Sequence, residues 1–66
     1  MLQWYVRVFM EDGSWNACVS VADTDRMAEY VAVKGYRDDG YEVDFAEAEL
    51  FNTFEHGDPR DYEIFS

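Results

Sequence analysis

The dipeptide Asp12-Gly13, set between two runs of alternating apolar residues, constrains this chain more than any other feature. A tight hairpin turn needs φ > 0, which Gly adopts without steric cost, so Leu2 to Val21 reads as two antiparallel strands joined there. With Glu11 opposite Ser14, Trp4 faces Val21, Val6 faces Val19, Val8 faces Ala17 and Met10 faces Trp15, and every pair on that face is apolar. The other face then pairs Gln3 with Ala22, Tyr5 with Ser20, Arg7 with Cys18 and Phe9 with Asn16. A one-residue slip would move one strand's side chains to the opposite face, so turn chemistry and apolar pattern jointly select this register.

Past the hairpin, Asp23-Thr24-Asp25 supplies N-cap candidates and a favourable charge for a helix that runs to about Asp38, where Asp39-Gly40 stops it. Thr24, Met27, Ala28, Val31 and Gly35 cluster on the face expected against the sheet, with Ala32 and Tyr36 at its margin. Tyr30 and Val33 fall outside that face and are expected to be exposed. Tyr41 to about Phe54 reads as a third strand whose apolar residues change from odd to even numbers, the mark of a bulge near Phe45-Ala46. His56 to Pro59 is then a loop, and Tyr62 to Phe65 a short last strand. The predicted architecture is α+β, one domain over residues 1–66: an antiparallel sheet of order 2-1-3 or, where the last strand joins it, 2-1-3-4, with one helix on one face. Nothing in the pattern covers the other face.

A chain of 66 residues buries only about 60% of the surface its unfolded form exposes, so its core must be rich. Hydrophobic residues make up 48% of it, which argues against disorder despite a net charge of −10. Such a charge repels nucleic acid and anionic lipid and attracts basic surfaces. No apolar run approaches the ~20 residues of a membrane helix, no secretory signal follows Met1, and Cys18 has no disulfide partner. The expectation is a cytoplasmic protein with no direct nucleic-acid or membrane contact.

Reaction chemistry is not apparent. His56 lies near Asp58 without a Ser or Cys nucleophile in motif spacing, and reads as a solvated loop residue rather than a catalytic base. Asp38-Asp39-Gly40 with Glu42 and Asp44 resembles a calcium loop, but aligning Gly40 with the required Gly puts Ala46 at the bidentate Glu position. No catalytic residue, metal ligand set or cofactor is therefore assigned. Cys18, expected on the open face opposite Arg7, reads as an ordinary unpaired strand thiol, with a pKa lowered by Arg7 as the alternative. Tyr5 and Phe9 on that bare face, with Tyr30 and Val33 on the helix, are candidates for a weak homodimer or a second contact.

Ten of the fifteen acids follow Arg37, where Arg60 is the only Lys or Arg. Asp38, Asp39, Glu42, Asp44, Glu47 and Glu49 are the candidate partner-binding residues, because alternate positions on a strand repeat at roughly 6.7 Å and hold carboxylates in a rigid row. Glu47 and Glu49 are both expected to face solvent. A short, strongly acidic, cysteine-poor chain with this hairpin-helix-strand plan resembles small phage-encoded inhibitors such as anti-CRISPR proteins and phage uracil-DNA glycosylase inhibitors. The resemblance is one of overall profile. It implies a stoichiometric inhibitor that occupies the basic groove of a nucleic-acid-handling protein. The alternative is a small dimerising accessory domain whose acids serve solubility.

Overall fold

The structure is a computed structural model that describes residues 1–66 throughout. Strands β1 (Leu2–Met10), β2 (Trp15–Ala22) and β3 (Val43–Leu50) form an antiparallel core, and helix α1 (Asp25–Asp38) crosses one face. A one-turn helix α2 (Thr53–His56), a 3₁₀ turn (Pro59–Asp61) and a two-residue strand β4 (Ile64–Phe65) complete the chain. The fold is α+β, with one long helix on a mixed four-stranded sheet of order β3-β1-β2-β4.

The hairpin forms where its turn residues require, but its register differs by one residue from the two-residue turn. The Gly13 amide donates to Met10 O at 3.1 Å, and the Met10 amide donates to Ser14 O at 2.8 Å. Gly13 has φ +91°. This is a three-residue loop, a turn followed by a glycine bulge, locked by the Asp12 carboxylate, which accepts from the Ser14 amide and hydroxyl. Val6 therefore pairs with Cys18, Trp4 with Ser20 and Leu2 with Ala22. Cys18, Ser20 and Ala22 turn under the helix, while Trp15, Ala17, Val19 and Val21 move to the opposite face.

Thr24 caps α1, its hydroxyl accepting from the Met27 amide at 3.2 Å. The buried spine is Ala28, Ala32 and Tyr36, so the helix is rolled from the expected face: Met27 is exposed, whereas Val33 packs against the core and only Tyr30 stands clear. The Ala48 amide on edge strand β3 donates to Glu29 Oε2 at 3.3 Å, placing a carboxylate over an edge otherwise open to another strand. Val6, Val8, Met10, Cys18, Ala22 and Val43 complete the core against that spine.

Two further expectations are corrected. The bulge falls at Asp44, between the pairs Met10–Val43 and Phe9–Phe45, so Phe45 joins Phe9 on the open face instead of the core. β4 pairs with β2, and does so in parallel (Val19–Ile64, Ser20–Phe65), rather than extending β3. A parallel partner needs a crossover of a dozen or so residues, and segment 51–63 supplies it by passing over the face expected to be bare. Val19 is fully buried on that face as a result.

Candidate functional site

The six acids singled out in the sequence are all exposed, and the fold distributes them around one end and one edge of the sheet. Asp38 and Asp39 end α1, Glu42 follows the helix stop, Asp44 occupies the bulge, and Glu47 and Glu49 lie on the open face of β3. The Glu11 amide donates to Glu42 O at 2.9 Å, bringing the hairpin tip with Glu11 and Asp12 against this group. In the sequence these two acids carry only a turn signal, and nothing local links them to residues some thirty positions on. The hydroxyl and amide of Ser14 hold the Asp12 carboxyl below its ordinary range. Asp38 pairs with Lys34 at 3.0 Å and Glu49 with Arg7 at 3.7 Å, whereas Asp39, Glu42, Asp44 and Glu47 have no ion-pair partner.

Glu49 is not free in solvent. Its Oε2 lies 2.9 Å from His56 Nε2. The His56 ring, with only 7% of its side chain exposed, stacks on Tyr5 at 3.9 Å between centroids and 4° between planes. Phe51 and Tyr62 pack around the same Tyr5 ring, and the Tyr62 hydroxyl donates to His56 O at 2.6 Å. Burial pushes the Tyr5 hydroxyl above its ordinary pKa, with the nearby Tyr62 acting in the same direction. His56 is thus a packing residue, not a solvated loop residue, and half of the proposed Tyr5–Phe9 surface is occupied by the chain itself. The other half stays open: Phe9 stacks on Phe45 at 4.6 Å, with Trp15 beside it.

Both nitrogens of His56 are engaged. Nδ1 accepts from the Asn52 amide at 3.0 Å, which assigns the ring proton to Nε2, where it donates to Glu49. Glu49, Glu55 and His56 bring donor atoms within 4.8 Å of one another, the grouping closest to a metal ligand set. A cation on Nε2 would need that proton transferred to Nδ1, directly against the Asn52 N–H, so the arrangement opposes metal binding. Cys18, the only thiol, is fully buried beneath the helix instead of lying on the open face opposite Arg7, and burial pushes its pKa up to about 12, opposite to the lowering that a neighbouring Arg7 would cause.

Neither a family model, nor a curated protein, nor a solved structure matches this chain. No helix is long and apolar enough to cross a membrane.

Proposed function

We propose that this protein is a non-enzymatic inhibitor that acts inside the cell, like the phage-encoded proteins its profile resembles. It occupies the basic groove of a nucleic-acid-handling protein and excludes nucleic acid from it. One observation carries the reading: edge strand β3 and its flanks hold four exposed acids without ion-pair partners, Asp39, Glu42, Asp44 and Glu47, beside the acidic hairpin tip. Carboxylates held on a strand and its anchored flanks approach a Lys/Arg-lined groove already ordered, which lowers the entropic cost of docking. The half-exposed rings of Trp15 and Phe45 border the row and offer faces to guanidinium groups. The accessory-domain reading draws on the same open rings, as a site for a second copy.

The test uses Glu42→Lys with Glu47→Lys, since Glu49 positions His56 and its replacement would disturb the fold. Wild-type protein immobilised on resin is expected to capture a basic complex from cell lysate that short duplex DNA elutes. In competition with labelled DNA for that complex, the folded double variant should be weaker by on the order of tenfold to a hundredfold. Rising salt should weaken the wild-type complex. Undiminished displacement of DNA by the variant would overturn the proposal.

A further inference from the structure

The returning segment 51–63 covers one half of the sheet's open face and leaves the other half bare. On the bare half, beside the hairpin tip, Phe45, Phe9 and Trp15 stand opposite one another on β3, β1 and β2. They form one row across the sheet, with Phe9 in the middle, 4.6 Å from Phe45 and 6.3 Å from Trp15 between ring centroids. The outer sides of the row stay open for reasons of topology. β3 is an edge strand, so no strand lies beyond Phe45, and β4 pairs with β2 only at Val19 and Ser20, so no strand borders Trp15 on that side. Phe45 is 49% exposed and Trp15 52%, which leaves each outer ring about one free face.

An aromatic row on a sheet takes planar groups by stacking, and the two common classes are nucleobases and guanidinium groups. Charge decides between them. Glu47 lies two residues along β3 from Phe45 on the same face, Asp44 precedes Phe45 in the bulge, and Glu11 and Asp12 form the tip beside the row; all four are exposed. Arg7, on the adjoining row opposite Glu47, turns its Nη2 to Glu49 at 3.7 Å, one row further from the aromatics. A nucleobase brings phosphate into this field and is repelled, whereas a guanidinium is drawn in. An ammonium is drawn in by charge as well, but its tight hydration and lack of a planar face forgo the stacking. A second copy laid face to face would set these acids against their counterparts. We infer that the Phe45–Phe9–Trp15 row is an arginine-selective docking surface, on whose outer rings arginine side chains of a basic protein partner stack while Glu47 supplies the counter-charge. The inference rests on the inhibitory reading for the class of partner, and adds that the groove presents arginine rather than lysine at this row.

Nuclear magnetic resonance titration of the intact protein tests it, with two capped peptides of equal length in which glycine alternates with arginine or with lysine. The two indole N–H signals report separately. Trp4, packed against the core, donates its indole N–H to Ala22 O and should stay still, while the Trp15 signal should shift. At low salt the arginine peptide should bind about fivefold or more tightly than the lysine peptide. Phe45→Leu should remove most of that preference while leaving the lysine peptide's affinity nearly unchanged, and Phe45→Tyr should keep it, with dispersed amide spectra showing that both variants fold. Glu47→Gln should weaken both peptides alike, by a factor of about two to three. Equal affinities for the two peptides would overturn the inference, as would a preference that survives Phe45→Leu or a shift at Trp4 instead of Trp15. A Trp15 shift caused by oligouridylate would assign the row to bases, and one caused by protein concentration alone would assign it to a second copy; either overturns it. Equal peptide affinities with DNA displacement intact would sink this inference alone, whereas an arginine preference without DNA displacement would sink only the inhibitory reading.

Discussion

Gly13, at φ +91°, closes a three-residue loop, and the one-residue shift of register that goes with it turns the other half of β2 toward the helix. Cys18 is the residue most changed by that shift, passing from the expected open face to the core beneath the helix. Burial pushes its pKa from 9.0 up to about 12, and desolvation pushes Tyr36, on the sheet-facing side of α1, from 10.0 to about 12. Between about pH 9 and 12 the unfolded chain has released protons that the fold retains, so stability falls as pH rises, by at most about 1.4 kcal/mol per pH unit for each group. Both contributions are fully present below pH 9. Chemical denaturation across this range should show a shallower alkaline decline in Cys18→Ala than in wild type. Identical declines would mean that the thiol ionises as readily in the fold as out of it.

Among the elements, β4 is held from two sides. Its backbone pairs with β2, and Phe65 lies across Gly35 of α1, where an added Cβ would meet the ring. Phe65 also contacts Tyr36, at 5.5 Å between ring centroids. Ala is the better helix former by about 1 kcal/mol, so Gly35→Ala would stabilise an unobstructed helix. Here it should destabilise by about 1–3 kcal/mol through overpacking, with part of the loss recovered in Gly35→Ala/Phe65→Ala. A raised melting temperature for the single variant would show that the helix does not press on Phe65. The apolar periodicity marked Gly35 as facing the sheet, yet the residue it must accommodate comes from the far end of the chain.

For the whole molecule, 15 acids against 5 Lys and Arg residues are a standing cost to the compact state. Only two carboxylates, Asp38 and Asp58, make ion pairs with Lys or Arg at or below 3.0 Å, and both pairs are surface pairs worth little. Screening should therefore raise the melting temperature. From about 10 mM to 300 mM NaCl the expected rise is a few degrees, given that about 1 kcal/mol moves a domain of this size by about 4–8 °C. Sucrose at matched osmolality controls for general exclusion. A melting temperature flat in salt would mean that the acids lie too far apart to repel one another.

Sequence alone determined what local chemistry decides: a hairpin at Asp12-Gly13, a helix from the Thr24 cap to the Asp39-Gly40 stop, a third strand antiparallel to the first, and the exposure of the acids. These follow from turn preference, capping and periodicity, each acting over a few residues. Tertiary structure alone decided the register, the position of the bulge and the side of the sheet to which β4 attaches. Turn chemistry and apolar alternation pointed to a two-residue turn and a register one residue from the observed one, because a three-residue loop with its Gly at positive φ suits the same Asp-Gly. The register was settled by which side chains bury best beneath the helix and beneath the returning segment 51–63. The same long-range packing buried His56, which carries no sequence signal for stacking on Tyr5, and left Phe54 in solvent on the turn that His56 anchors.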